Sequence, residues 1–386
     1  SMFSCFIHRT ARDRWFAIRS YEKSLASGKK TSETMTTSKG VVVVHGGCGI
    51  IGAMTTEQEQ ECRTALISSA NAAMLELSTG RSALGAVVSA IKVLEDSPRF
   101  NAGKGSVFTR EGTNEMDAGL MDGFSGAVGG VSTITMIRNP ICAAECVLKK
   151  SVHSLICGVG AEKFAESNGC VTATRDYFFT KHRYDQLESI LKRGDIAQLD
   201  HNVRPKSTTG TVGAVALDHD GHLASGSSTG GLTAKEAGRV SDSSIAGAGF
   251  YADREIAVSG TGCGDEFIRV SAAKQIADLV RYSGKSLSEA CDEVVFVELR
   301  QTMAGFIGVD RKDIGEETHA DRQTDIRTMQ ADTHKHAKMH SQTGADRYTR
   351  IHGYHTDATS YLREQNSSVL AMTARWHATN GRLNSN

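Results

Sequence analysis

The sequence contains little proline, few aromatic residues and no excess of charge of either sign. Three prolines in 386 residues exclude the collagen-like and proline-rich disordered classes. Aromatic residues make up 6%, too few for the stacking surfaces that bind single-stranded nucleic acid. Lys and Arg number 44, and so do Asp and Glu, whereas proteins that bind nucleic acid through its phosphates usually show a basic excess, so we expect no nucleic-acid partner. No apolar run approaches the ~18 residues of a membrane span, so we expect no membrane insertion.

The nine cysteines also lack any regular arrangement. Their number is odd and no CxxC pair occurs, which favours a reducing compartment and, in the first place, the cytoplasm. Cys142 and Cys146 lie four residues apart on a predicted helix and share one face. They could bind a metal as a pair, but free cysteine is among the most buried residue types, so buried structural thiols are favoured.

Both ends of the chain differ in composition from its middle. Residues 1–39 carry eight Lys and Arg against three Asp and Glu, which is typical of a disordered extension or, as a lesser alternative, of a mitochondrial transit peptide. Residues 311–386 are polar and hold seven of the fourteen histidines. Because no fixed carboxylate or cysteine partners accompany these histidines, a disordered tail is favoured over a metal site.

The middle of the chain alternates between strand and helix patterns. The first half has a buried strand at 41–44, helices at 57–78 and 82–96, a strand-rich stretch at 127–137, a helix at 140–150 that opens on a proline, a short strand and helix within 153–168, and a helix at 184–192 before a polar linker. The second half has a hairpin of strands at 211–217 and 223–228, helices at 265–282 and 286–300, and a strand at 304–310. The last helix opens on the capping box Ser286-x-x-Glu289.

One glycine motif points to a dinucleotide. Residues 47–52 match G-x-G-x-x-G after a strand, but that fold requires a helix and then a second strand. Two consecutive helices are predicted instead, so dinucleotide binding is a minority interpretation. We interpret His45-Gly46-Gly47 as a turn that lets two backbones approach closely.

Three clusters of glycine with hydroxyl residues stand at strand ends, at 210–215, 227–231 and 259–264. The pair Arg239 and Asp242 lies between the last two. The three clusters and this pair together offer a hydroxyl nucleophile, backbone N–H donors and two opposite charges that can bind a zwitterion. Such a set suits acyl transfer on a small amino acid. A threonine nucleophile needs a base, and its own α-amine, with a pKa of about 7.7–8.0, can serve if the chain is cut before it. The Gly210–Thr211 bond suits such a cut.

These motifs resemble those of the plant-type asparaginase and isoaspartyl peptidase family of N-terminal-nucleophile hydrolases. The matching segments occur in the family's order: FNAGKG (100–105), MDAGLMDG (116–123), GTVGAVALD (210–218), STGG (228–231), GRVSD (238–242) and GAGFYAD (247–253). The resemblance implies an α/β, four-layer αββα sandwich and self-cleavage into an α subunit (40–210) and a β subunit (211–310). It further implies hydrolysis of L-asparagine and β-aspartyl dipeptides, no catalytic cofactor, and a dimer of αβ heterodimers.

The resemblance also implies a role for each matching residue. Thr211 is the expected nucleophile, Thr229 tunes it, and Thr261 with the Gly262 N–H forms the oxyanion hole. Arg239 is expected to bind the substrate α-carboxylate and Asp242 the α-ammonium, while Gly262 and Gly264 line the pocket by main chain. The expected supporting residues are Asn101, His45, Gly46 and Gly47. A structural sodium ion is implied at the backbone carbonyls of Leu94, Glu95, Ser97, Phe100, Ala102 and Lys104.

The chain departs from the family pattern at three places. Ser241 and Ser244 stand where the family has glycine and proline, and residues 311–386 do not resemble the family's further strands. An alternative function is therefore a catalytically impaired member that does not cleave itself.

Overall fold

A computed structural model describes residues 40–48, 55–193, 210–300 and 302–311 in full, and four short strands within the first 39 residues as backbone. The strands are β1 Met2–Phe6, β2 Arg9–Thr10, β3 Asp13–Arg14, β4 Ala17–Tyr21, β5 Val41–His45, β6 Met116–Asp122, β7 Val128–Ile134, β8 Leu155–Cys157, β9 Val212–Leu217, β10 Leu223–Thr229, β11 Phe250–Ala252, β12 Ile256–Gly262 and β13 Ala304–Asp310. The helices are α1 Thr56–Ser78, α2 Ala83–Glu95, α3 Pro140–Lys150, α4 Gly158–Ser167, α5 Arg175–Phe178, α6 Lys181–Arg193, α7 Gly264–Val270, α8 Ala272–Ser283 and α9 Leu287–Glu293.

Two sheets stack face to face with helices on both outer sides. The larger sheet has the order β1-β4-β5-β9-β10-β6-β7-β8, and the smaller has the order β11-β12-β13. One apolar cluster lies between α1–α4 and the large sheet, a second lies between the two sheets, and a third lies between the small sheet and α7–α9. Three cores separate four layers, so the predicted αββα sandwich is confirmed.

Strand alternation decides which residues enter each core. On β9, Val212, Ala214 and Ala216 face the helix layer, whereas Val215 and Leu217 face the second sheet. Both faces are buried, which explains why the strands are near-continuous runs of apolar and small residues rather than alternating ones.

The basic extension contains strands, although the sequence predicted none there. β4 pairs antiparallel with β5, and β1 pairs with β4 at the edge of the large sheet. The physical reason is that β5 would otherwise present unpaired N–H and C=O groups on that side. The extension thereby supplies main-chain hydrogen bonds to β5, although its sequence has no apolar pattern that predicts a strand.

Most predicted helices are confirmed within a residue or two. Pro140 opens α3 at its first turn, where the missing N–H is no loss. Ser286 and Glu289 form the predicted capping box of α9. The helix predicted at 265–282 is wrong as one element, because Ser271 adopts φ +51° and separates α7 from α8. The helix predicted at 286–300 is also interrupted: α9 ends at Glu293, and a π-helical turn occupies Val294–Glu298.

The topology contradicts the dinucleotide interpretation of residues 47–52. In the described stretch 55–95, α1 leads to α2 with no strand between them, and β9 runs antiparallel to β5. A doubly wound dinucleotide fold needs a parallel neighbour there. Residues 49–52 themselves lie outside the described residues.

Three other expectations fall partly or wholly outside the described residues. The polar linker at 194–209, the tail from 312 to 386 with its seven histidines, and the remaining residues of the extension are not described. Among the helices that are described, none combines the length and the apolar character that crossing a membrane requires.

The close packing of the two sheets yields a prediction at Gly119 on β6. A Cβ built there would lie 2.2 Å from the ring of the buried Phe250. We expect Gly119→Ala to lower the free energy of unfolding by about 1–3 kcal/mol, since overpacking forces the sheets apart. Urea denaturation of Gly119→Ala and of Gly85→Ala measures this. Gly85 is the control because its nearest neighbours lie 3.7 Å from the added Cβ, and equal stability of the two variants would contradict the prediction.

Candidate active site

Thr211 and Thr229 meet at one end of the β9–β10 hairpin. The ladder pairs Val212 with Ser228, so one further step in the same register sets Thr211 opposite Thr229. Both threonines are buried. The Thr229 hydroxyl accepts a hydrogen bond from the Gly231 N–H at 3.0 Å, which fixes its position at the turn.

The Gly210–Thr211 bond lies against the turn that follows β5. A Cβ on Gly210 would lie 2.3 Å from Gly47 Cα and 2.4 Å from the Cys48 nitrogen. Gly47 has φ +108°, a region that side chains disfavour. Gly46 is constrained separately, because a Cβ there would lie 2.4 Å from the Phe100 ring. The residues predicted for close backbone approach therefore lie directly beside the expected cleavage bond.

Thr261 reaches the same place from the second sheet. It is fully buried near the end of β12, and its hydroxyl donates to the Cys48 thiol with an Oγ1–Sγ distance of 3.6 Å. Because the Cys48 backbone contacts Gly210, this thiol connects Thr261 to the neighbourhood of Thr211. No sequence signal pointed to Cys48 beyond its place in a glycine-rich turn.

Arg239 and Asp242 converge on Gly264. A Cβ on Gly264 would lie 2.3 Å from the Asp242 carboxylate and 3.1 Å from the Arg239 guanidinium, so a side chain there would fill the space between the two charges. Arg239 makes a two-pronged contact with Asp265 at 3.1 and 3.3 Å. Asp265, which the sequence analysis did not identify, is half exposed and holds the guanidinium in a carboxylate-binding geometry.

The buried carboxylate of Asp242 has a raised pKa. Burial raises the pKa of Asp242 to about 7, and the Arg239 guanidinium opposes the rise. Its Oδ2 atom is buried without a hydrogen-bond partner among the described residues. A cationic group placed beside this carboxylate would satisfy the oxygen and favour its ionised form.

His45 is a neutral element of the site. Burial lowers the pKa of His45 to about 3, and a hydrogen bond with the Thr211 backbone opposes this shift only in part. The ring Nε2 hydrogen-bonds the Ser259 hydroxyl at 3.2 Å. A ring that stays uncharged at working pH can link the two sheets beside Thr211 without a buried charge.

Asn101 anchors the turn that carries Thr229. Its amide donates to the Gly231 carbonyl at 2.7 Å, its side-chain oxygen accepts from the Val107 N–H at 3.0 Å, and its backbone carbonyl accepts from the Gly230 N–H at 3.0 Å. Asn101 lies within the expected sodium loop, between Phe100 and Ala102, so this residue connects the loop to the site.

Two residues that the sequence analysis missed hold the Arg239 segment. The buried Asp117 on β6 accepts from the Ser241 N–H and the Thr133 N–H, both at 2.8 Å. The buried Lys235 donates to the Glu115 carbonyl at 2.7 Å. The signal for Asp117 is the strand register, in which β6 pairs Asp117 with Thr229. This register is known only from the structure.

The two serines that depart from the family pattern are accommodated. The Ser241 hydroxyl accepts from the Ser243 N–H at 3.3 Å. The Ser244 hydroxyl accepts from Ser132 at 2.7 Å and donates to the Ser241 carbonyl at 3.3 Å. Since each hydroxyl has a partner, neither substitution leaves a buried polar atom uncompensated.

Glu95 gives a prediction about pH and stability. Its buried carboxylate accepts from the Ser228 hydroxyl at 2.7 Å and the Ile141 N–H at 2.9 Å, and burial raises its pKa to about 8. Between about pH 4.5 and 8 the folded state holds a proton that the unfolded state has released. Stability must therefore fall as pH rises through this window, by up to about 1.4 kcal/mol per unit.

Urea denaturation at pH 5.5, 6.5 and 7.5 isolates this contribution. We expect the free energy of unfolding of wild type, relative to Glu95→Gln, to decrease across the series. Glu111→Gln, at an exposed glutamate, serves as the control. If the difference between wild type and Glu95→Gln did not change with pH, Glu95 would not carry the proton.

Comparisons with known proteins identify the family. The family model described as "Asparaginase" matches residues 38–348, past Asp310, where the sequence analysis placed the end of the resemblance. The isoaspartyl peptidase of Salmonella typhimurium is 44% identical over 283 residues, which cover 71% of this chain and 90% of that protein. The Homo sapiens isoaspartyl peptidase/L-asparaginase is 38% identical over 253 residues, 65% of this chain and 80% of that protein.

The family model covers most of the chain, and the match includes every residue of the site described above, from His45 to Asp265. The fold has the four layers that the resemblance implied. The chain belongs to the asparaginase family.

Proposed function

We propose that this protein is an autoproteolytically activated amidohydrolase that cleaves the side-chain amide of L-asparagine and the β-aspartyl bond of isoaspartyl dipeptides. The observation that carries the proposal is the contact of the Gly210–Thr211 bond with Gly47 and Cys48, beside Thr229 and the Thr261 hydroxyl. The relatives named isoaspartyl peptidase or L-asparaginase support the substrate class.

Maturation begins within the unbroken chain. The Thr211 hydroxyl attacks the Gly210 carbonyl, and the amide nitrogen of Thr211 leaves as an amine while an ester forms. Water then hydrolyses the ester, which leaves a Gly210 carboxylate and a free Thr211 α-amine. Glycine at 210 suits this step, because no side chain shields the carbonyl and the main chain tolerates strain.

Hydrolysis uses the new amine as the base. The Thr211 α-amine takes the proton of its own hydroxyl as Oγ1 attacks the substrate side-chain carbonyl, and ammonia or a free amino acid leaves. The oxyanion is stabilised by the Thr261 hydroxyl and the Gly262 N–H, donors of a kind whose single loss costs about 2.7–4 kcal/mol. Water then releases aspartate from the β-aspartyl ester.

Arg239 and Asp242 select the substrate by its two charges. The guanidinium fork that now faces Asp265 would receive the α-carboxylate instead. The α-ammonium would pair with Asp242, whose unpartnered buried oxygen supports this role. An ammonium also lowers the pKa of Asp242 from about 7, so substrate binding itself favours the ionised carboxylate.

The loop at 94–104 is the proposed site of a structural sodium ion. A Cβ on Gly103 would lie 2.4 Å from the Glu95 carbonyl oxygen, and a Cβ on Gly105 would lie 2.0 Å from the Phe100 carbonyl oxygen. Glycine at 103 and at 105 therefore leaves room beside the Glu95 and Phe100 carbonyls. The proposed ligands are the carbonyls of Leu94, Glu95, Ser97, Phe100, Ala102 and Lys104. Such an ion would neutralise the carbonyl dipoles that bind it and support Asn101, and it would take no part in bond cleavage.

Assembly and compartment belong to the same proposal. Cleavage would yield α and β subunits that remain one αββα sandwich, and a dimer of such heterodimers is the assembly we propose. The cytoplasm is the proposed compartment, because all eight cysteines of the described residues are free thiols and such thiols persist under reducing conditions.

The first test is whether the chain cuts itself at Thr211. Purified wild type should give two bands on a denaturing gel, residues 1–210 and 211–386, and Thr211→Ala should remain intact because it lacks the attacking hydroxyl. Thr211→Ser keeps a hydroxyl and should still cleave. Thr209→Ala, a threonine two residues earlier, is the control and should behave as wild type.

Two results would count against this assignment. Cleavage of Thr211→Ala at the same bond would show that another group attacks. A wild-type chain that stays whole after long incubation would support the alternative of a family member that does not cleave itself.

The second test concerns specificity. Arg239→Lys keeps the charge but loses the two-pronged geometry, so kcat/KM for L-asparagine should fall about 10- to 100-fold. Arg269→Lys, at an exposed arginine paired with Glu266, should leave it unchanged. N-acetyl-asparagine should not be hydrolysed by wild type, and turnover of it equal to that of free asparagine would disprove the clamp.

A further inference from the structure

Three cysteines gather on the outer helix layer, and none has a role in the proposed mechanism. Cys142 and Cys146 lie one turn apart on α3, and Cys170 follows α4. The sulfur atoms of Cys146 and Cys170 lie 3.5 Å apart. All three residues are partly buried, between full exposure and the core.

The main chain fixes the approach of Cys146 to Cys170. Gly169, at φ +89°, turns the chain after α4, and the Cys170 N–H donates to the Ala165 carbonyl at 3.0 Å. On the other side, the Arg138 N–H donates to the Val171 carbonyl at 2.9 Å. This bond ties the segment after Cys170 to the residues just before α3. Backbone pairing therefore brings the two residues together, and their side chains place the sulfur atoms 3.5 Å apart.

We propose that Cys146 and Cys170 form a modification site, a dithiol that small-molecule disulfides oxidise to an intramolecular disulfide. The Cys146 thiolate attacks the small disulfide and releases one thiol, which leaves a mixed disulfide on Cys146. The Cys170 thiolate then attacks the Cys146 sulfur and releases the second thiol. Two protein thiols and one small disulfide thus become one protein disulfide and two small thiols.

The environment supports this order of attack. Burial raises the pKa of Cys170 to about 12, and the adjacent Cys146 thiol raises it further, so Cys170 is the poorer first nucleophile. A mixed disulfide at Cys146 removes the neighbouring thiol that contributes to this rise. Cys170 is thereby better suited to the second step than to the first.

Cys142 provides an internal comparison. It lies four residues before Cys146 on the same helix and packs against the apolar core. Burial raises the pKa of Cys142 to about 12. Within the described residues it makes no sulfur contact with Cys170 like that of Cys146, so it should remain a thiol when the other two are linked.

The bond would connect α3 to the segment after α4 and close the loop from 146 to 170. Closing a loop of that length restricts the unfolded chain, so the oxidised protein should melt a few degrees above the reduced protein. Because the two sulfur atoms already lie 3.5 Å apart, we expect the disulfide to form with only a small movement of the two side chains.

The test uses the full-length protein, fully reduced and then incubated with oxidised glutathione. Free thiols are blocked with N-ethylmaleimide, and tryptic peptides are mapped by mass spectrometry. Wild type should show peptide 139–149 joined to peptide 164–175, with the loss of two hydrogens. Because Cys142 and Cys146 share a tryptic peptide, Cys142→Ala is the matched control and should keep the link. Cys146→Ala, Cys146→Ser and Cys170→Ala should lose both the link and the rise in melting temperature.

Three results would overturn the proposal. The link could be absent from oxidised wild type, it could persist in Cys146→Ala through Cys142, or glutathione could remain on Cys146 without displacement by Cys170. The melting temperatures of the reduced variants verify folding, and the two substitutions at Cys146 separate loss of the thiol from a packing defect.

Discussion

The site depends on the contact between two glycines from distant parts of the chain. Gly47 and Gly210 lie so close that a Cβ on either would overlap the main chain of the other. Any residue larger than glycine at either position would keep the Gly210–Thr211 bond away from the turn after β5. The contact also brings the Cys48 nitrogen to Gly210 and the Cys48 thiol to Thr261, so the proposed nucleophile Thr211 and the proposed oxyanion donor Thr261 are both positioned relative to this pair. A substitution at either glycine would act on Thr211 and Thr261 together.

A polar layer between the two sheets holds this contact in place. The Ser225 hydroxyl donates to the Val258 carbonyl at 2.6 Å, and the Ser259 hydroxyl donates to the Gly226 carbonyl at 3.1 Å. His45 joins this layer through Ser259. Apolar side chains would allow one sheet to slide over the other, whereas directional hydrogen bonds fix the register of β10 against β12. The neutral form of His45 follows from the same burial, because a charge there would lie between two sheets without water.

The sequence predicted the elements whose causes are local. The run of four valines at 41–44, the proline that opens α3 and the capping box at Ser286 each specify an element with a few neighbouring residues. Elements with distant causes were missed or misjudged. The Ser271 break places α8 against the small sheet, β4 exists because β5 needs a partner, and Asp117 acquires meaning only from its register with Thr229. The threonine motifs indicated the site, but Cys48 and Asp265 required the tertiary structure.

The pair of Arg239 and Asp265 explains how a charged pocket stays stable without substrate. A guanidinium left without a partner beside the buried Asp242 would be costly. Asp265 is half exposed, so water would take up its charge if, as proposed, a substrate carboxylate replaced it at Arg239. In the proposed binding mode, this exchange of one carboxylate for another would change little in net charge, and the free energy of binding would come mainly from the α-ammonium at Asp242. In that proposal, the buried Asp242 oxygen without a partner among the described residues recognises the amino group, and the half-exposed Asp265 lets the Arg239 guanidinium exchange one carboxylate for another.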